Sequence, residues 1–125
     1  MERGGDAMNK ANNHNKPPLC IDEYPLSKSS ARKILLDIAN YHSNRVLWSK
    51  HVKTRMVQRD ITSRQIISLL RNRHMVFTEG PYEQPNGDWK FNIKGLAAGT
   101  IIELVIVLKN HQFDPKSLLV TVWVV

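Results

Sequence analysis

One histidine and two arginines recur at four-residue intervals in the stretch HVKTRMVQRDITSRQIISLLR, residues 51–71. In a helix, His51, Arg55, Arg59 and the intervening Gln58 fall within an arc of about 100° on one face. Arginine side chains bind phosphate oxygens in pairs, and a histidine can take or give a proton near neutral pH. The trio therefore suits a phosphodiester, above all RNA, whose own 2′-hydroxyl can act as the nucleophile.

The same three residues also fit a structural role. His51 lies near the predicted start of a helix, where a histidine can bond a backbone group. Arg55 and Arg59 can equally be surface residues or members of ion pairs. Spacing alone leaves both interpretations open.

Three further residues, Lys90, Lys94 and Arg64, are candidates for contact with RNA, and Thr121 is a candidate member of the catalytic site itself. Lys90 and Lys94 alternate with apolar residues, so they can either bind phosphates or form the solvated face of a strand. Arg64 lies opposite the apolar face of the helix after the trio and is a further candidate RNA contact. Thr121 is the one polar residue in LLVTVWVV, residues 118–125. It adds a hydroxyl to the site if its face meets the His51 helix, and is otherwise an ordinary strand residue.

The sequence lacks the residue patterns that other classes of chemistry require. The five histidines and the single Cys20 show no metal-ligand spacing, and no glycine-rich phosphate loop occurs. No nucleophile and base are paired as acyl transfer requires, and carboxylates are few for paired-acid chemistry. We therefore predict neither a metal nor a cofactor.

Two short helices must position the trio. Ser49 is the predicted N-cap of the first, which ends at a corner formed by Asp60 and Ile61. Thr62 and Gln65 have the spacing of a capping box that begins the second helix. An earlier helix is predicted over residues 27–42, because apolar residues recur there at intervals of three and four, and Ser27, Ser29 or Ser30 can cap it.

After residue 73 the apolar period becomes that of strands. Strands are predicted over 74–79, 89–94, 101–108 and 118–125, with Gly80-Pro81 ending the first and 101–108 central and covered on both faces. The segment 45–48 is either a brief strand or an extended lead into the next helix. The predicted fold is α+β, with N-terminal helices packed on one face of a four-stranded antiparallel sheet.

The domain organisation follows from the same patterns. Residues 1–26 are predicted to be a flexible N-terminal extension, disordered over 1–18 and then lying across the domain as a strap. Residues 27–125 form one α+β domain. The chain shows no apolar stretch for a membrane span or a secretory signal, and its single cysteine favours a reducing compartment, the cytoplasm.

The positive charge is confined to the helical part. Residues 28–73 hold eleven Lys and Arg against two Asp and Glu, a net charge of +9 within a total of +7. Each flanking part has a net charge of −1. Such a concentration attracts polyanions, although a solvated helical surface has the same composition.

A series of motifs through residues 46–125 resembles the family catalogued as DUF four-two-five-eight. The family core reads Ser-x-His, then Arg, then Arg-Gly-Ile-Ser, and closes on a Thr-Val-aromatic strand. The chain matches it with Ser49-Lys50-His51, Arg55, Arg59-Asp60-Ile61-Thr62 and Thr121-Val122-Trp123. Asp60 replaces the glycine of the family, and residues 1–45 lie outside the resemblance.

That family is similar to the RelE and BrnT toxins within the barnase-, EndoU-, colicin- and RelE-like ribonucleases. The resemblance implies a RelE-like fold and metal-independent RNA cleavage by the 2′-hydroxyl, often leaving a 2′,3′-cyclic phosphate. It also implies a site at His51, Arg55 and Arg59, with Thr121 as a weaker member.

Three hypotheses follow. The chain is a toxin-like endoribonuclease belonging to a toxin–antitoxin or toxin–immunity pair, or a domain that binds RNA or DNA without cutting it. The third is a protein-interaction domain whose basic helices meet an acidic partner, such as an antitoxin or immunity protein. The oligomeric state is left open.

Overall fold

The computed structural model describes residues 16–125. Within this range three helices and five strands follow one another, with a 3₁₀ turn over Ser43–Arg45. The helices are α1 (Lys28–Tyr41), α2 (Lys50–Arg59) and α3 (Ser63–Leu70). The strands are β1 (Val46–Trp48), β2 (Val76–Glu83), β3 (Trp89–Ala97), β4 (Thr100–Lys109) and β5 (Lys116–Val124).

The five strands form one sheet in the order β1-β5-β4-β3-β2. Strands β2 to β5 pair antiparallel, whereas β1 pairs parallel to β5, with Val46 opposite Ser117. The α+β class is confirmed, but the four-stranded antiparallel sheet is wrong in detail because the sheet is five-stranded and mixed. Strand β1 has only three residues, too few to show an alternating pattern, and its partner lies about seventy residues further along the chain.

Strand β2 does not end at Gly80-Pro81 as predicted. It runs to Glu83, and its register against β3 shifts twice, once between Phe77 and Glu79 and once between Glu79 and Tyr82, the step that contains Gly80-Pro81. A proline is tolerated because β2 is an edge strand, in which the N–H groups of one side have no ladder partner. The glycine has a positive φ of 78°, a conformation that residues with a Cβ rarely adopt.

The hydrophobic core lies between the helices and one face of the sheet. Alternate residues of β3 and β4, among them Phe91, Ile93, Leu104 and Ile106, are almost wholly buried in one cluster with α1 and α3. We call this the inner face and the opposite side the outer face. The prediction that β4 is covered on both faces is correct only in part, because on the outer face Val105 is 7% exposed whereas Ile101 is 48% exposed.

The starts of α2 and α3 were predicted correctly because each is encoded locally, and Ser27 is the one of the three candidate serines that caps α1. Ser27 and Ser49 accept hydrogen bonds from the backbone N–H three residues on, and Thr62 forms the capping box with Gln65. Helix α2 ends at Asp60, whose φ of 55° and ψ of 45° are left-handed. This is the position at which the resembling family has glycine.

Residues 16–26 lie along the domain. The Leu19 amide donates to the Asp37 carboxylate on α1 (2.8 Å), and the Ile21 amide donates to the His111 carbonyl (3.0 Å). His111, which is buried, is in turn 3.1 Å from the Glu23 carbonyl through its Nε2. These contacts place residues 19–26 as the predicted strap, while most of the predicted disordered stretch lies outside the described residues.

Candidate functional site: the exposed edge of helix α2

Helix α2 is fixed to the sheet at its first residues. The Ser49 amide donates to the Leu119 carbonyl (3.3 Å), and the Ser49 hydroxyl donates to the Val120 carbonyl (3.1 Å). The same hydroxyl oxygen accepts from the Val52 amide (3.0 Å). One side chain therefore begins the helix and attaches it to β5, while the fully buried Val52 anchors the first turn in the core.

An ion pair holds the turn before β1 against the loop before β5. The Arg45 guanidinium donates to the Asp114 carboxylate and to the Pro115 carbonyl (3.3 Å). The hydrogen bond from Arg45, with a further one from Lys116, lowers the pKa of Asp114 below its ordinary value. These contacts set the position of β1, and hence that of the helix that follows it.

The predicted trio shares one edge of α2. His51 and Arg59 are exposed and Arg55 is half-buried. Arg55 Nε lies 3.4 Å from His51 Nε2 and donates to it, so this contact exists only with the neutral imidazole, protonated at Nδ1. Arg59 lies one helical turn further along, about 6 Å on the helix axis.

Gln58 holds the other end of the Arg55 fork. Arg55 Nη1 donates to Gln58 Oε1 at 3.1 Å. The guanidinium is thus oriented by a neighbour on each side of it along the helix surface. The i, i+3 spacing of Arg55 and Gln58 is the sequence signal for this contact, and our sequence analysis assigned Gln58 no role.

Thr121 lies on the outer face of the sheet. It pairs with Val105, and a register shift separates this pair from Leu119 and Ile106. Leu119 and Val122 are buried on the inner face, whereas Thr121 is half-exposed. Among the described residues no hydrogen bond joins Thr121 to the trio, although the Ser49 contact with Val120 brings the start of α2 to the adjacent residue.

Lys90 and Lys94 also lie on the outer face, on β3. The β4 strand separates them from β5, which corresponds to about 10 Å across the sheet. Lys94 is opposite Glu103, whose carboxylate also accepts hydrogen bonds from Thr78 (2.8 Å) and Asn92 (3.2 Å). The outer face therefore carries a carboxylate among its lysines, unlike the edge of α2.

Arg64 lies on the next helix, apart from the trio in sequence but within the same basic segment. It is exposed, and with Arg71 it borders a shallow depression along α3 that also includes Ile67 and Ser68. Arg71 is fixed there because its Nε donates to the Ala39 carbonyl at the end of α1 (3.0 Å). The structure thus brings His51 and Arg55 into contact, keeps Arg59 on their edge, and distributes the remaining candidates over α3 and the outer face.

Two negative findings apply to residues 16–125. No group of three or more His, Cys, Asp and Glu side chains in this range is arranged to hold a metal ion. None of the helices described there has the length and hydropathy that a bilayer crossing requires.

Comparison with known proteins adds no assignment. No family model matches the chain, and neither the curated proteins nor the solved structures gave a significant match. The resemblance to the DUF four-two-five-eight family and to RelE-like toxins stays a prediction drawn from the motifs themselves.

Proposed function

We propose that the chain is a toxin-like, metal-independent endoribonuclease whose reaction takes place at the edge of α2. The observation that carries the proposal is the contact between His51 and Arg55 on an exposed edge of a helix fixed to the sheet. A proton acceptor beside an oriented guanidinium is the combination that 2′-hydroxyl attack on phosphorus requires.

In this mechanism the 2′-hydroxyl replaces Arg55 Nε at His51 Nε2, the nitrogen that carries the lone pair, and His51 removes its proton. The 2′ oxygen attacks phosphorus, the bond to the 5′ oxygen breaks, and a 2′,3′-cyclic phosphate forms. The 5′ oxygen leaves as a hydroxyl, with a proton returned by His51 or supplied by water. Arg55 stabilises the charge on the phosphoryl oxygens, because its fork is already oriented by His51 and Gln58 before RNA binds.

Arg59 has a different role from Arg55 because it lies a turn further along the helix. It holds the same phosphate from its other side or the neighbouring phosphate of the strand. Thr121 is the weaker member of the site, and Lys90, Lys94 and Arg64 are outer contacts for the RNA. The charge of +9 over residues 28–73 concentrates RNA near the edge.

Purified protein incubated with single-stranded RNA and EDTA tests the proposal. We expect cleavage products that end in a cyclic phosphate, a rate lowered by about 10²- to 10⁴-fold in His51→Ala, and a loss of about 10²-fold in Arg55→Gln. Lys53→Gln removes a charge from an exposed position outside the trio's arc and should keep the rate within about twofold. Absence of cutting, or equal rates in His51→Ala and the unaltered protein, excludes the catalytic assignment.

A domain that binds nucleic acid without cutting is the second candidate, supported by the segregation of charge. It predicts that the logarithm of the binding constant falls linearly with the logarithm of the salt concentration, and that His51→Ala has no effect on binding. If the chain is a toxin, its partner is an acidic antitoxin or immunity protein that covers the basic helices. An acidic reading frame beside the gene, whose product blocks RNA cleavage when mixed with the chain, supports that pairing.

A further inference from the structure

A second basic region lies away from the α2 edge, in a groove of about 470 Å³ between the start of α1 and the start of β2. Four of its seven lining residues carry basic side chains, and none carries a carboxylate. The lining consists of Lys28, Arg32, Arg73, His74, Met75, Val76 and Phe77.

Arg32 is held in a fixed orientation at this groove. Its Nη2 donates to the Met75 carbonyl (3.0 Å), and its guanidinium carbon lies 5.3 Å from the centre of the Phe77 ring. The hydrogen bond and the cation–π contact together restrict the plane of the fork. A ligand that binds Arg32 therefore incurs little of the entropy cost of ordering a free arginine.

The loop that carries Arg73 and His74 is also held in place by hydrogen bonds. The Asn72 side-chain oxygen accepts from the His74 amide (2.9 Å), and the Asn72 carbonyl accepts from the Met75 amide (3.1 Å). This turn leaves Arg73 and His74 exposed while Met75 enters the core. The basic side chains are thus presented to solvent from a hydrogen-bonded turn.

The carboxylate that precedes α1 makes a hydrogen bond with the backbone of the helix start. Glu23 lies before the helix start, and its carboxylate accepts from the Ser27 amide (2.8 Å). That hydrogen bond is the main reason why the pKa of Glu23 is lowered. The Glu23 carboxylate therefore interacts with the backbone at the helix start.

We propose that this groove binds a phosphate group, belonging either to a nucleic-acid backbone or to a small phosphate ester. A planar fork fixed over an aromatic ring, a second arginine and a lysine supply both paired hydrogen bonds and point charges for phosphate oxygens. The proposal depends only on the groove, so it stands whether or not the α2 edge cleaves RNA.

An NMR titration of the ¹⁵N-labelled chain with inorganic phosphate tests it, at an ionic strength held constant with sodium chloride. We expect saturable shifts at the amides of Arg73 and His74. Arg73→Gln should weaken phosphate binding by about tenfold. Lys33→Gln removes the same charge from an exposed position of α1 outside the groove and should change affinity by less than about twofold.

A five-nucleotide DNA strand distinguishes the two sources of phosphate, because it lacks the 2′-hydroxyl and cannot be cleaved by the proposed reaction. If the DNA strand binds more tightly than inorganic phosphate and shifts the same amides, the ligand of the groove is a nucleic-acid backbone. If the DNA strand binds no more tightly, the ligand is a small phosphate ester. If neither ligand gives saturable shifts, or if Lys33→Gln weakens binding as much as Arg73→Gln, the groove is not a phosphate site.

Discussion

Replacing Ser49 by alanine should remove two interactions with a single change. The Ser49 hydroxyl accepts from the Val52 amide and donates to the Val120 carbonyl. Loss of a serine N-cap costs about 1 kcal/mol, and an unpaired, partly buried carbonyl costs about another 1 kcal/mol. The free energy of unfolding should therefore fall by about 2 kcal/mol. For a domain of this size, that lowers the melting temperature by roughly 6–10 °C.

Aspartate at the same position separates the two contributions. Its carboxylate can still accept from the Val52 amide but has no proton for the Val120 carbonyl, so Ser49→Asp should cost about 1 kcal/mol, half the alanine effect. Ser49→Thr keeps both functions and should cost least. Urea unfolding followed by tryptophan fluorescence gives these differences, provided that the slope against urea is unchanged.

Ser29→Ala is the matched control, because this exposed serine of the first turn of α1 makes no side-chain hydrogen bond among the described residues. It should stay within about 0.5 kcal/mol of the unaltered protein. Our reasoning is refuted if Ser49→Ala also stays within that range, or if Ser49→Asp is as unstable as Ser49→Ala. Either result means that the start of α2 is held by other contacts.

Three further predictions concern the elements around the site. A Cβ on Gly95 would clash with the Leu69 side chain at Cδ1, so Gly95→Ala should destabilise the fold by about 1–3 kcal/mol in urea unfolding. Because Asp60 is left-handed, Asp60→Gly should raise stability by up to about 1 kcal/mol, while Asp60→Ala should not. The Arg45 hydrogen bond lowers the pKa of Asp114 in the folded state. The ionised Asp114 carboxylate therefore stabilises the fold fully above the unfolded-state pKa of about 4, and this stabilisation is lost as the pH falls through the lower folded-state pKa. Urea midpoints between pH 5 and pH 3 should therefore drop less in Asp114→Asn.

Each of these predictions has an outcome that contradicts it. If Leu69→Ala combined with Gly95→Ala gives strictly additive losses, the predicted clash is not the cause. Equal stability of Asp60→Gly and Asp60→Ala would show that the corner carries no left-handed strain. If the unaltered protein and Asp114→Asn lose stability in parallel below pH 4, a group other than Asp114 causes the loss of stability in acid.

The features that could be predicted from the sequence are those encoded within a few residues. Ser49, Thr62 and Gln65 specify helix starts by their own hydrogen bonds, and the alternation through Phe91 and Ile93 identifies a half-buried strand. His51 and Arg55 meet because a helix brings residues four apart together.

The features that were missed depend on partners far away in the chain. A brief strand over residues 45–48 was one of two alternatives, but its parallel pairing with β5 was missed because three residues carry no signal for a partner so far along the chain. Strand β2 passes Gly80-Pro81 because an edge position and register shifts accommodate them. The position of Thr121 on the outer face was undecidable from LLVTVWVV, since an almost wholly apolar strand does not reveal which side meets the helices.

The attachment of Ser49 to Val120 has a consequence for biosynthesis. The two residues are 71 positions apart, so a ribosome must make almost the whole domain before α2 acquires its anchor on β5. On a nascent chain the imidazole and the guanidiniums are therefore held only by a short, marginal helix. If the chain is a nuclease, it stays inert beside the messenger RNA that encodes it until β5 has left the exit tunnel.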